Sequence, residues 1–270
     1  MTETILVTGG TGTLGRAVVE RLVDAGHDVR VLSRRPPGAD EVRRHASVTG
    51  DLSTAAGVGD AVAGVTVIIH CATTNGRGDV EAAQNLIAAA QRGGQPHLIY
   101  ISIVGVDEVP LRYYRAKLEV EELVAGSGLP WTVLRATQFH DLVTRVFAAQ
   151  HFTPLVVVPA GISVQPIDVR EVADRLTGLA GEPAAGRVPD IGGPQVRALT
   201  DLARAFLRAN GRWPILMPLP LAGKVARAYR RGGHLTPERA VGTITYEQFL
   251  DENVTPGGRV GARARKRGKG

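Results

Sequence analysis

The sequence predicts an α/β fold, a doubly wound parallel sheet with a small C-terminal lobe, and three observations carry the prediction. Short runs of Val, Ile and Leu alternate with stretches of helical period up to about residue 137. Four glycines, Gly9, Gly10, Gly12 and Gly15, stand directly between the first apolar run and the first helical stretch. Beyond residue 137 the alternation loosens, and prolines at 154, 159, 166, 183, 189, 194, 214, 218 and 220 break the chain into shorter pieces. Strands that alternate with helices are joined by right-handed crossovers, which lay the strands parallel and cover both faces of the sheet. Ligands then bind at the carboxyl ends of the strands.

The elements follow in order. Ile5-Leu6-Val7 is the first strand and a helix covers about 15–25. Val29-Arg30-Val31-Leu32 is the second strand and Ser47-Val48-Thr49-Gly50 the third, followed by a helix over 54–63. Val65 to His70 forms the fourth strand, 79–93 a helix, His97 to Ser102 the fifth strand, 112–126 a helix, and Trp131 to Leu134 the sixth strand. Residues 1–258 are expected to form one domain, with a substrate lobe mainly in 138–258, and 259–270 a tail. Aromatic residues make up only 4% of the chain, so the core is built from Val, Leu, Ile and Ala.

The turn after the first strand reads Thr8-Gly9-Gly10-Thr11-Gly12-Thr13-Leu14-Gly15. A tight turn needs residues that tolerate positive φ, and a backbone that approaches a pyrophosphate cannot carry a Cβ at the contact. Gly9, Gly10 and Gly12 supply both, and Gly15 lets the helix sit close to the sheet. The helix N-terminus offers free N–H groups and the positive end of its dipole to phosphate. Strand, glycine turn and helix in this order form a Rossmann-type dinucleotide-binding signature.

Which dinucleotide is preferred is written at the end of the second strand. A site for NAD places an acid there for the ribose 2′-hydroxyl, whereas the 2′-phosphate of NADP needs a cation. Ser33-Arg34-Arg35 occupies this position. A hydroxyl beside two planar guanidiniums suits a phosphate, so the expected cofactor is NADP rather than NAD. Gly50-Asp51-Leu52 closes the third strand, where an adenine edge would lie. Asp51 can accept from the adenine amino group or cap the following helix.

The net charge is +6, and the last twelve residues carry six Lys and Arg with no acid. The remaining body is neutral by count. A Gly/Ala/Arg/Lys tail buries too little apolar area to offset its ordering entropy, so it is expected to be disordered, a solubilising terminus with at most weak adhesion to nucleic acid. No apolar run reaches the length that spans a bilayer, and no basic-then-apolar leader precedes the first strand, which predicts a cytoplasmic protein without membrane insertion. Cys71 is the single cysteine, which excludes an internal disulfide and a cysteine-based zinc cluster. No metal site is expected.

The glycine turn, Ser33-Arg34-Arg35, Gly50-Asp51-Leu52, His70-Cys71-Ala72 and Ser102 together resemble the short-chain dehydrogenase/reductase superfamily, in particular its atypical, NmrA-like branch of NAD(P)-binding proteins. Further matching segments are Lys117 to Glu121, Ser127 to Arg135, Ile167 to Ala173 and Thr245 to Leu250, so the resemblance runs to about residue 254. It implies an NADP(H)-dependent oxidoreductase that moves hydride to or from a small carbonyl, enone or quinone-like substrate. The same branch also contains non-catalytic NADP(H) sensors, regulators and assembly proteins, which is the alternative reading. By this resemblance the cofactor is held by Gly9, Thr11, Gly12, Thr13, Leu14, Gly15, Ser33, Arg34, Arg35, Asp51, Leu52, Cys71, Ala72, Thr73, Lys117, Ala136 and Thr137.

Tyr113-Tyr114-Arg115-Ala116-Lys117 carries the expected chemistry. Tyr113 and Lys117 are four apart and share a helix face. The resemblance makes Tyr113 the proton donor or acceptor, Lys117 the ribose contact that lowers the phenol pKa, and Ser102 the hydrogen-bond partner of the substrate oxygen. A free phenol near pKa 10 is a poor acid-base catalyst at neutral pH and needs a neighbouring cation. His140, after the sixth strand, is a further candidate donor. The apolar, proline-broken segment Trp213 to Gly223 is open to reading as pocket wall, lid, dimer contact or core loop.

Overall fold

A computed structural model describes residues 3–36, 44–74, 76–151, 153, 155–212 and 215–255. The basic tail 259–270, as well as Trp213 and Pro214, lies outside the described residues. Two compact units emerge, one within Met1–Asp107, Leu111–Arg135 and Val169–Pro189, the other within Glu108–Pro110, Ala136–Asp168 and Asp190–Gly270. The stretch 138–258 expected to form the lobe is therefore interrupted, because residues 169–189 return to the first unit.

The first unit is an α/β layer structure. Its strands are β1 (Thr4–Thr8), β2 (Asp28–Ser33), β3 (Ala46–Thr49), β4 (Val67–His70), β5 (His97–Ile103), β6 (Trp131–Ala136), and β9 (Gly186–Arg187). They form one seven-stranded parallel sheet in the order β3-β2-β1-β4-β5-β6-β9. The order reverses between β1 and β4, where Ile5 pairs with Val67 and Thr8 with His70. Such a reversal opens the crevice in which open α/β sheets bind ligands.

The helices α1 (Thr13–Asp24), α2 (Val58–Val62), α3 (Gly78–Arg92), α4 (Arg112–Ala125) and α6 (Val169–Ala180) flank the sheet. Leu6, Leu32, Ile68 and Leu98 share one apolar core with Val58, Leu86, Val120 and Val124 of α2, α3 and α4. Their strand neighbours Ile5, Val7, Ile69 and Ile99 are equally buried and point to the opposite face. There α1 packs on α6, and Arg21 of α1 is ion-paired with Asp174 of α6. Arg135, at the end of β6, is 4% exposed and donates to both Glu121 oxygens at 2.9 and 2.7 Å and to Asp107 at 2.8 Å.

The helix expected over 54–63 forms only as Val58–Val62. Residues 51–57 instead fold into a loop in which Ala55 and Gly57 have φ of 60° and 70°. A Cβ on Gly57 would stand 2.4 Å from Thr49 O, so this glycine fixes the late helix start. The other expected strands and helices of this unit appear with ends shifted by one or two residues.

The second unit contains α5 (His140–Ala148), β7 (Leu155–Pro159), β8 (Ser163–Val164), β10 (Arg197–Ala198), α7 (Leu199–Ala209), β11 (Ile215–Leu219), α8 (Lys224–Arg230) and α9 (Tyr246–Asn253). Phe147, Val156, Val158, Leu202, Phe206, Phe249 and Leu250 form its core. Strand β11 pairs with β7 in parallel, and Ile215, Met217 and Leu219 on it stay exposed. A capping box starts α9, with Thr245 Oγ1 accepting from Gln248 N and Thr245 N donating to Gln248 Oε1. Among the described residues no helix is long and apolar enough to cross a membrane.

Candidate active site

The glycines of the β1–α1 turn are required for different reasons. Gly9 has φ +71° and a Cβ there would lie 2.6 Å from Ala72 N, so the turn is pressed against the end of β4. A Cβ on Gly15 would stand 2.2 Å from Gly9 O, and one on Gly10 2.8 Å from a Val31 methyl. Gly12 differs: its added Cβ would meet only Gly9 O, at 3.2 Å. The protein's own packing thus demands Gly9, Gly10 and Gly15, whereas at Gly12 the fold itself leaves room for a methyl group. Gly12 N donates to Gly9 O at 2.9 Å, Thr11 O accepts from Arg16 at 3.2 Å, and Thr13 and Leu14 open α1 with no side-chain cap and no acid in the first turn. That end therefore keeps the positive pole of its helix dipole without a neutralising acid in its first turn.

Beside it lies a groove of about 220 Å³ lined by Gly10, Thr11, Arg16, Ser33, Arg35 and Arg44, among others. Ser33 Oγ accepts from Arg35 N at 3.2 Å. Arg34 lies outside the groove lining, and its charge helps hold the Asp51 carboxyl below its usual range, after the backbone and side-chain hydrogen bonds from Ser53. Both bonds fall on Asp51 Oδ1, at 2.9 Å from Ser53 N and 2.8 Å from Ser53 Oγ, so Asp51 caps its own loop rather than a helix end. Leu52 packs partly against the core, and its carbonyl accepts from Asn85 at 2.7 Å. Arg16, Arg44 and His45, which line the same groove, were not singled out by sequence reading. The signal was the basic pair Arg44-His45 just before β3.

The polar centre of this unit lies where β4 and β5 meet α3 and α4. Cys71 N donates to Thr8 O at 3.1 Å, and burial pushes the Cys71 thiol up to about 12, so it is neutral. Burial, helped by the Lys117 charge and opposed by Asp79, draws His70 down to about 3, and its Nδ1 lies 2.6 Å from Thr8 Oγ1. Beyond Cys71-Ala72, the buried Asp79 accepts from Thr73 Oγ1 at 2.6 Å, from Thr74 Oγ1 at 2.7 Å and from Thr74 N.

Tyr113 Oη stands 3.5 Å from Thr73 Oγ1. Burial pushes the Tyr113 phenol above its ordinary range, with the charges of Asp79 and Tyr114 adding to it. Lys117 is 4% exposed and donates to Ile101 O at 3.4 Å, and its Nζ lies 4.8 Å from the Tyr100 ring centre and 5.9 Å from that of Tyr113. Burial lowers the Lys117 ammonium, opposed by Asp79, Cys71 and Glu121. Ser102, next in chain to Ile101, is 2% exposed, and its Oγ has no hydrogen-bond partner among the described residues. An orphaned buried hydroxyl of this kind fits a ligand's polar atom. With the glycine cradle, the residues present fit a dinucleotide.

Residues 9–169, more than half the chain, match the family described as NAD(P)H-binding. The chain belongs to this NAD(P)H-binding family. It is an oxidoreductase family within the NmrA-like, atypical short-chain dehydrogenase/reductase superfamily. The chain is 31% identical to (4-alkanoyl-5-oxo-2,5-dihydrofuran-3-yl)methyl phosphate reductase of Streptomyces griseus over 77% of its own length and 74% of the relative's. It is 27% identical to the chloroplastic divinyl chlorophyllide a 8-vinyl-reductase of Cucumis sativus over 80% of its own length and 59% of the relative's. In fold it resembles the NADPH complex of an NADPH-dependent quinone oxidoreductase from Escherichia coli, with a TM-score of 0.79 and 19% identity over 91% of this chain and 98% of that one. A nucleoside-diphosphate-sugar epimerase from Staphylococcus aureus gives a TM-score of 0.78 and 17% identity over 93% and 100%.

Thr73, Tyr113, Lys117 and Ser102 belong to the first unit, as do the turn, Ser33, Arg34, Arg35 and Asp51. Ala136 and Thr137 belong to the second. There Thr137 is buried, its N–H donates to Ile191 O at 3.0 Å and its Oγ1 accepts from Gly193 N at 3.3 Å. His140 is an interior residue of that unit, with Nε2 3.0 Å from Ile244 O and its ring against Tyr246 and Phe249. Ile215 to Leu219, from the proline-broken segment, is the exposed strand β11.

Proposed function

We propose that this protein is an NADP(H)-dependent reductase acting on a small carbonyl, enone or quinone-like substrate. The observation that carries the reading is the juxtaposition in one unit of the Tyr113 hydroxyl, the buried Lys117 ammonium and the unpartnered Ser102 Oγ, beside a glycine cradle and a basic groove. The N-terminus of α1 and the turn Gly9 to Gly15 hold the pyrophosphate. Ser33, Arg34 and Arg35, joined by Arg16 and Arg44, take the 2′-phosphate, which favours NADP over NAD. When bound, the dinucleotide supplies a hydride at the nicotinamide. Lys117 orients the adjoining ribose, Ser102 Oγ donates to the substrate oxygen and polarises it, and Tyr113 Oη supplies the proton that oxygen needs. The two similar reductases, one named for an oxo-dihydrofuranyl methyl phosphate and the other for the 8-vinyl group of a chlorophyllide, support reduction as the reaction.

The test is Tyr113→Phe, which removes the proton donor and keeps the ring. Assayed with NADPH against a panel of aldehydes, ketones, enones and quinones, turnover falls by about 10²-fold or more while NADPH binding is retained. Tyr114→Phe, on the neighbouring helix position, is the internal control. Undiminished turnover in Tyr113→Phe refutes the assignment. Tight NADPH binding with no turnover on any panel member makes the protein an NADP(H)-binding regulator instead.

A further inference from the structure

We propose that Asp79, acting through Thr73, is a positioning residue that holds the Tyr113 hydroxyl in its protonated form, ready to act as the proton donor of a reduction. The proposal rests on the reductase reading above and deepens it.

A threonine hydroxyl has one proton to give. That of Thr73 goes to Asp79 Oδ2 at 2.6 Å, so towards Tyr113 Oη, 3.5 Å away, its oxygen acts as an acceptor. Such a contact is satisfied by a protonated phenol. A phenolate there would face lone pairs, with a carboxylate one hydroxyl further on. Asp79 cannot turn away to relieve this, because Thr74 N and Thr74 Oγ1 both hold its Oδ1. It is 2% exposed, so water screens its charge poorly. At 3.5 Å the contact is loose enough for the single phenol proton to turn from Thr73 Oγ1 to a substrate oxygen.

The groups that face this relay come from every element around it. Lys117 and Tyr114 lie with Tyr113 on α4, Tyr100 on β5 and His70 at the end of β4. Lys117 is the opposing cation, yet its Nζ donates to Ile101 O and sits over the Tyr100 ring, nearer that ring than the ring of Tyr113. His70 is neutral near pH 7, because burial and Lys117 draw it down to about 3. Burial and the Asp79 and Tyr114 charges push the Tyr113 phenol up, in keeping with a resting protonated state. In the step itself, a substrate carbonyl carbon accepts the hydride and its π electrons pass to oxygen. Tyr113 Oη gives that oxygen its proton, the carbonyl is reduced to an alcohol, the nicotinamide is oxidised, and the tyrosinate recovers a proton from water.

The experiment reads Tyr113 directly in the free, full-length protein. Tyrosines carry an NMR-active carbon in the ring, the Tyr113 signal is assigned from its loss in Tyr113→Phe, and its alkaline titration is followed in the variants. Asp79→Asn should bring the Tyr113 midpoint down by about one pH unit. Thr73→Val, at an exposed position, should lower it by a smaller measurable amount, and Thr73→Ser should restore the original titration. The alkaline limb of reductive turnover should move with the midpoint. Should Asp79→Asn not fold, Thr73→Val decides alone. An unchanged midpoint in the folded variants overturns the proposal and leaves the reductase reading standing, whereas undiminished turnover in Tyr113→Phe overturns that reading itself.

Discussion

Two single-methyl additions in the same turn should have opposite consequences. In Gly15→Ala the new Cβ falls 2.2 Å from Gly9 O, 2.7 Å from Gly9 C and 2.9 Å from Gly10 Cα. All three are backbone atoms, so no side chain can swing aside, and α1 has to move away from the turn by about 1 Å to reach ordinary contact. Overpacking of this kind costs about 2–3 kcal/mol. For a chain of this size that is a fall in Tm of roughly 4–12 °C. In Gly12→Ala the only neighbour is Gly9 O at 3.2 Å, and φ is −78°, which alanine adopts freely. Tm should therefore stay within about 2 °C, the loss being the difference between glycine and alanine at an N-cap. The new methyl instead stands over the anion site, and NADPH affinity should fall at least tenfold, about 1.4 kcal/mol. Thermal unfolding followed by circular dichroism and NADPH fluorescence titration read the two effects separately. A Gly12→Ala protein that binds NADPH as tightly as the parent, or a Gly15→Ala protein with an unchanged Tm, would refute the division of roles among these glycines.

Wild-type protein should bind NADPH at least about tenfold tighter than NADH, and replacing Arg34 and Arg35 together by alanine should remove most of that difference. Equal affinities in the parent, measured by calorimetry, would sink the 2′-phosphate assignment. Glu121→Ala leaves the buried Arg135 with only its Asp107 partner and should cost about 3 kcal/mol in urea unfolding, at the low end for breaking a buried pair because one bond survives. His70 gives an acid dependence: its folded value of about 3 lies below the ordinary 6.5, so below pH 6.5 the unfolded chain binds a proton that the native state refuses. Its contribution is intact above pH 6.5 and declines as pH falls towards 3, by up to about 2 kcal/mol between pH 6.5 and 5. A His70→Gln variant should flatten that slope, and an identical pH profile in parent and variant would show that another group is responsible.

The sheet of the first unit was legible because its signals are local. β-Branched runs, glycine turns and helical periods each declare themselves within about ten residues. The same holds for the turn Gly9 to Gly15, for Ser33-Arg34-Arg35, and for Tyr113 and Lys117 on one helix. What escaped is what the chain assembles at a distance. Asp79 reads as an ordinary first-turn acid of α3 until the fold brings Tyr113, some thirty residues on, to the hydroxyl it holds. Arg44 joins Arg35 in one groove only because β3 pairs with β2. The pairing of β7 with β11 spans about sixty residues and leaves no alternating pattern, since Pro218 and the exposed Ile215 and Met217 lie in β11 itself. The helical period of residues 54–63 yields a helix only over Val58–Val62, because Ala55 and Gly57 take positive φ.

The interleaving of the two units bears on how the chain acquires its structure during synthesis. The sheet is complete only when β9 (Gly186–Arg187) has been made, and α1 lacks its packing partner until Val169–Ala180 exists. Between Arg135 and that helix the ribosome delivers Ala136–Asp168, which belongs to the other unit. At about 5–20 residues per second, the face of the nascent sheet that α6 later covers waits some seconds for it. The apolar residues of α1, Val18 and Leu22 among them, are therefore a natural surface for chaperones to hold, and a synthesis stalled near residue 150 should yield a product that aggregates rather than a folded half.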